Sequence, residues 1–170
     1  MSYFYSFLVF FTAFFLQTGL FGNLRPFGFV PNFILVTVVF FGLKRGIKDV
    51  LPYVFIFGFF LDLLFGKFFG FHMILLAAGV WLANFISKDA KVFSLSRIIF
   101  LTAFLSLAYS IFLGLDLYLS AAGFNAASFM YLAFQIGVNL FAAFLLYGFS
   151  DKFFDFLEKT DNFSKQKVNV

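Results

Sequence analysis

The sequence predicts an all-α, polytopic membrane protein of six transmembrane helices, and three observations carry that prediction. Of 170 residues, 63% are hydrophobic and only 12% charged, with a mean hydropathy of +1.01. A soluble domain is about half apolar and a quarter charged, and a soluble fold this small has no means of hiding so much apolar surface from water. The apolar residues form six long runs, separated by short polar or turn-forming segments. Lys and Arg crowd into every second separator and the C-terminus, the pattern that loops of alternating sidedness show.

The first run covers about Tyr3 to Phe21 and stops at Gly22-Asn23. It has no basic region before it and no small-residue cleavage site after it, so it reads as a retained span rather than a signal peptide. Leu24 to Gly28 turn the chain around Pro26. The second span runs from about Val30 to Leu43, with Pro31 expected in its first turn, where a missing N–H is harmless. Lys44 to Asp49 form a basic loop. The third span, about Val50 to Phe65, has Pro52 near its start and is broken by Gly66-Lys67. The fourth runs from about Phe68 to Ile86 and ends in a second basic loop, Ser87 to Lys91. The fifth covers about Leu95 to Ser120; Ala121 to Ala126, with Gly123 and Asn125, turn the chain into the sixth, about Ala127 to Phe149.

All six are expected to be helices, because an isolated strand leaves its backbone unsatisfied in lipid and a barrel needs alternating polar positions that these runs lack. They make one domain, residues 1–150. Over residues 151–170 the pattern changes. Phe149, Phe153, Phe156 and Leu157 share one helical face and Asp151, Lys152, Asp155, Glu158 and Lys159 the other, an amphipathic extension at the interface. From Thr160 the tail is polar and expected to be disordered.

Six crossings put both termini on one side. That side collects ten of the 12 basic residues, Lys44, Arg45, Lys48, Lys88, Lys91, Arg97, Lys152, Lys159, Lys165 and Lys167, and the other only Arg25 and Lys67. The positive-inside rule then places both termini in the cytoplasm. The same topology explains the net charge of +4 without nucleic acid. Cysteine is absent, which excludes a disulfide, a thiol nucleophile and a cysteine metal site. The 35 phenylalanines reflect lipid-facing interchange with leucine rather than a ligand site.

One stretch stands out: GFFLDLLFGKFFG, residues 58–70, with a carboxylate inside an apolar run. A carboxylate at a helix centre in the membrane costs ~2.5–3.5 kcal/mol on an insertion scale, and less near an interface, so a partner is expected. The topology sets Asp62 and Asp116 near the outer ends of the third and fifth spans. It sets Asn32 and His72 at the outer starts of the second and fourth, with Arg25 and Lys67 in the outer loops. Three readings of Asp62 stay open: an ion pair with Arg25 or Lys67 that fixes the bundle, a contact with a partner protein, and coupling to an ion or substrate. Gly58, Asp62 and Gly66 fall on one helical face, with Gly70 past the break. Glycines at that spacing let another helix approach, here expected from within the bundle.

His72, the only histidine, is expected to hydrogen-bond at the interface, since no His, Asp or Glu cluster has metal-ligand spacing. Gln135 and Asn139, four apart, are expected to bond a neighbouring helix, and Asn84 is a further intramembrane amide. No phosphate-cradling loop, hydrolase elbow or basic–aromatic patch is present. The expectation is a protein that is not an enzyme and uses no cofactor, no metal and no nucleic acid.

The middle of the chain resembles the rod shape-determining protein MreD family. The resemblance rests on Pro31-Asn32 opening an apolar span, on Arg45-Gly46, and on the segment containing Gly58, Asp62, Leu63, Gly66 and Gly70. It covers about Pro31 to Gly79; length, six spans and a short basic tail also fit. The family often carries Asp after the proline, where this chain has Asn32. The resemblance implies a non-enzymatic protein of the bacterial inner membrane that binds MreC and works with actin-like MreB, RodA and a class B penicillin-binding protein in cell-wall elongation. It makes Pro31, Asn32, Gly58, Asp62, Gly66 and Gly70 candidates for structural or partner contacts, and the topology adds Arg25, His72 and Asp116, beside membrane lipid. The family is also similar in fold to the substrate-binding subunits of energy-coupling-factor vitamin transporters, which implies a vitamin-binding alternative. Those subunits commonly carry alanine-x-x-x-alanine on the first helix; this first span has Ala13 alone.

Overall fold

A computed structural model describes residues 2–20, 30–65, 68–88, 94–119 and 126–168. Among them lie six α-helices and no strand: α1 (Ser2–Phe15), α2 (Phe33–Lys44), α3 (Ile47–Phe65), α4 (Phe71–Lys88), α5 (Leu95–Leu119) and α6 (Ala126–Val168). A π-helical turn, Leu16–Leu20, continues α1.

The helices are packed around α2. It touches each of the other five, and every residue from Ile34 to Gly42 is buried. FILVTVVFFGLK is apolar on nearly all sides, so every face of the helix is able to pack against a neighbour. Close approach is built in. A Cβ on Gly42 would stand 2.7 Å from that of Ala83, and one on Gly79 would stand 2.9 Å from Leu105 Cδ1. On the other side Phe10 of α1, fully buried, lies against Phe41, Tyr53 and Phe57 at ring separations of 5.1, 5.2 and 5.9 Å.

The helices run up and down, so the bundle has two unlike ends. At one end Tyr3 donates to Asp49 at 3.1 Å, Tyr53 donates to the Tyr3 carbonyl at 2.9 Å, and the second half of α6 returns, with Phe154 against Phe41. The Lys and Arg whose side chains are described, Lys44, Arg45, Lys48, Arg97, Lys152 and Lys159, lie at that end. The opposite end gathers the C-termini of α1, α3 and α5 and the N-termini of α2, α4 and α6.

Among the described residues, three segments are long and apolar enough to cross a membrane: Tyr3–Leu20, Leu95–Leu115 and Phe129–Ser150. Phe33–Lys44 and Phe71–Ser87 are shorter apolar helices, and α3 carries Lys48, Asp49 and Asp62 within its 19 residues. The 12 residues of α2 rise about 18 Å, well short of a hydrocarbon core of about 30 Å. Its neighbours shield it from lipid.

Boundaries differ from the sequence reading where caps decide them. Pro31 precedes α2 instead of sitting in its first turn, because Asn32 is the N-cap. Helix α3 begins at Ile47 and takes Pro52 into its interior; α4 begins at Phe71, not Phe68. The last helix continues through Thr160 to Val168, 43 residues in all, where the sequence reading ends it in a disordered tail. Lys165, Gln166 and Lys167 in that stretch are good helix formers, so polarity alone does not stop the helix.

Candidate functional site

Helix α4 starts at a glycine. Gly70 has φ +94°, a conformation glycine adopts without strain, and it stands where an N-cap side chain would otherwise be. Phe71 N–H still finds the Phe68 carbonyl at 3.3 Å, but the next two amides need another acceptor. Asp62 supplies it from α3. Its Oδ1 accepts from His72 N–H at 2.8 Å and its Oδ2 from Met73 N–H at 3.3 Å. The carboxylate thereby sits at the N-terminal, positive end of the α4 macrodipole. His72 Nδ1 lies 2.8 Å from the same Oδ1. With the carboxylate ionised, that contact fixes the ring as the Nδ1–H donor. Both side chains are buried.

The neighbouring glycine makes this geometry reachable. A Cβ on Gly58 would stand 2.9 Å from Met73 Cα, so the α3 and α4 backbones touch one turn below Asp62. Gly58 and Asp62 share the face that meets α4, as their spacing predicts. Gly70 serves through its backbone conformation instead, with open space where a Cβ would be. Gly66 lies outside the described residues, as do Arg25 and Lys67, the cations expected to pair with Asp62. The partner the structure gives Asp62 is a helix N-terminus with a histidine. Asp116 belongs to the last turns of α5, and its side chain lies outside the described part.

Asn32 does not join Asp62. It belongs to a second buried set at the start of α2. Its Oδ1 accepts from Leu35 N–H at 3.0 Å, as an N-cap does, and its own N–H donates to Asn139 Oδ1 of α6 at 2.7 Å. Asn139 Nδ2 donates to Ser106 Oγ of α5 at 3.0 Å. Gln17, in the π-helical turn, accepts from Ile34 N–H at 3.1 Å, and Gln135 Nε2 donates to the Val30 carbonyl at 2.6 Å. Phe33 N–H takes the Pro31 carbonyl at 3.0 Å, so all three amides of the first turn that lack an intrahelical acceptor are satisfied. Four segments are joined at one buried point. The expectation that Gln135 and Asn139 reach a neighbouring helix is met by Asn139, at Ser106 of α5, while Gln135 reaches the segment that leads into α2.

Sequence reading overlooked Gln17, Ser106 and Ser110. Their signal was present: Thr102, Ser106 and Ser110 recur every four residues, one stripe of an otherwise apolar helix. All three are buried in α5, and Ser110 Oγ donates to the Leu132 carbonyl at 3.4 Å. Among the described residues, no group of three or more His, Cys, Asp or Glu is placed to hold a metal ion.

These features define a helical membrane protein in which two sets of buried polar groups hydrogen-bond to helix ends and to one another. The chain belongs to the rod shape-determining protein MreD family: the family's model matches residues 1–159 of its 170 residues. The match extends well beyond the segment that carries the sequence resemblance and includes both buried polar sets. No curated protein and no solved structure matches the chain. Its family role is in rod shape determination.

Proposed function

We propose that the chain is a non-enzymatic component of the bacterial cell-wall elongation machinery, a six-pass protein of the inner membrane with both termini in the cytoplasm. It maintains rod shape by binding MreC, with RodA, a class B penicillin-binding protein and MreB in the same assembly. The family match over residues 1–159 carries this reading. The two buried polar sets support it, since they stiffen one end of the bundle into a fixed shape for a partner to recognise. In this topology that end faces outward, and Asp62 keeps the α3–α4 turn in register. The separation of the basic residues to the opposite end supports the cytoplasmic placement of the termini. Among the described residues, an apolar cavity lined by α1, α2 and α6 lies away from Asp62 and His72 and lends the vitamin-transporter alternative no support.

The test is depletion of the protein in a rod-shaped host, followed by microscopy, with co-purification from detergent-solubilised membranes. Rounded cells and recovery of MreC with the tagged chain are expected. Cells that stay rod-shaped after full depletion would overturn the reading. A stoichiometric vitamin in the purified protein would move it to the transporter class.

A further inference from the structure

Helices α1 and α6 meet at the basic end of the bundle, where Tyr5 contacts Phe156 edge-on at 5.2 Å. Beyond that contact a groove of about 290 Å³ runs between them, floored by α2. Its walls include Thr12 and Ala13 of α1, Phe33 and Thr37 of α2, and Leu146 and Phe153 of α6. They make little polar demand on an occupant. Thr12 Oγ1 donates back to the Leu8 carbonyl at 2.8 Å, and Ser150 Oγ to the Tyr147 carbonyl at 2.7 Å. The α1 wall lies within the apolar span Tyr3–Leu20 and the α6 wall straddles the end of Phe129–Ser150, so the groove runs from hydrocarbon depth toward the interface at the basic end.

Its dimensions select the occupant. The α1 wall extends from Leu8 to Leu16, a rise of about 12 Å. Spread over that length, the space open to a water molecule gives a channel roughly 8 Å wide between its walls. A helix with its side chains is about 10–12 Å wide and does not enter. A single hydrocarbon chain does. Charge then selects the headgroup. Lys44 follows Phe33, Thr37 and Phe40 on the same face of α2, one turn further toward the basic end. Its Nζ stands 5.7 Å from the centroid of Phe154, a ring of the groove wall.

We propose that this groove binds one acyl chain of an anionic phospholipid from the surrounding bilayer, with the headgroup phosphate at Lys44. The lipid fills the wedge between α1 and α6 and so fixes their spread. No feature of MreC binding enters this inference.

The experiment is native mass spectrometry of the detergent-purified full chain, with phosphatidylglycerol and phosphatidylcholine of identical acyl chains as probes. One phospholipid per chain is expected to survive, phosphatidylglycerol preferred by about fivefold, the ratio one lysine near a surface supplies. Lys44→Gln should keep the lipid and lose the preference. Thr12→Trp at the exposed rim and Ala13→Leu inside should lose the lipid with helical content unchanged. Diazirine-bearing phosphatidylglycerol gives a readout on the wild-type chain alone: acyl adducts should concentrate in 8–16 and 146–154. Adducts spread equally over the exposed face of α3, or undiminished retention by both filled variants, would overturn the proposal. So would a wild-type dimer that the filled variants abolish, since the groove would then hold a second copy.

Discussion

Asp62 is tolerated in an apolar helix because its charge has three donors within reach, two backbone amides and an imidazole. The benefit of a carboxylate at a helix N-terminus, up to ~2 kcal/mol in partly buried geometry, offsets part of its insertion cost. Asp62→Leu leaves the His72 and Met73 amides bare and is expected to lower stability by about 2–3 kcal/mol. Asp62→Asn keeps one acceptor oxygen and loses the charge, so a drop of about 1 kcal/mol is expected. Thermal unfolding in detergent ranks the variants, and MreC recovery should fall in the same order. Equal melting of Asp62→Leu and wild type would show that solvent caps α4 unaided. The same logic governs Asn139. Its replacement by leucine strands the Asn32 N–H, a buried donor worth about 1–3 kcal/mol. Ser106→Ala removes a weaker partner and should cost less. A stability scan in which Ser106→Ala is the more damaging would mean that Asn139 does not hold the α2 N-terminus.

At the scale of elements, the α3–α4 hairpin depends on a contact between backbones. Gly58→Leu must push α4 aside, because the atom in its way is Met73 Cα, which has no rotamer to escape into. Overpacking at such a site costs ~1–3 kcal/mol. Phe59→Leu and Phe60→Leu, at positions 40% and 45% exposed, should change little. Comparable yield and melting for all three variants would place the Gly58 face against lipid. Helix α6 raises a separate question of length. Its 43 residues reach roughly 64 Å, about twice the hydrocarbon thickness, so its second half projects past the bilayer. That half is still part of the fold: Phe154 and Leu157 are buried, and Phe154 packs on Phe41. Truncation after Ser150 should therefore destabilise the bundle by several kcal/mol, at ~1.5–3 for each large side chain. Truncation after Thr160 should be close to neutral. Identical melting of the two truncated chains would make residues 151–160 a separate appendage.

At the scale of the whole molecule, the unlike ends give the bundle a direction. Basic side chains collect at one end, and amide and carboxylate caps at the other. The proposed topology, with Lys and Arg retained on the cytoplasmic side, has the caps outward. A reporter active only in the cytoplasm should give signal when fused at Val170, and a periplasm-only reporter should work in the α3–α4 turn near Phe69. Activity of the periplasmic reporter at Val170 would reverse the molecule, and the face offered to partners with it.

The sequence by itself determined that the chain is helical, that its helices are apolar enough for a membrane, and which ends carry positive charge. Each follows from side-chain chemistry alone. It also marked the Gly58–Asp62–Gly70 hairpin, because a carboxylate among phenylalanines demands a partner and glycines permit close approach. The identity of that partner was decided by tertiary structure. The acceptor's need was legible, but the donors are largely backbone amides, and every residue has one. Only the position of the α4 N-terminus distinguishes His72 and Met73 from the rest. The division of the polar residues into two sets, Asp62 with His72 and Asn32 with Asn139, was likewise set by which helix ends meet. The central place of α2 had no sequence signature of its own. Hydropathy reports a preference for leaving water, and lipid tails and a protein interior satisfy it equally. A short apolar helix surrounded by others and one facing lipid therefore read the same until their neighbours are known.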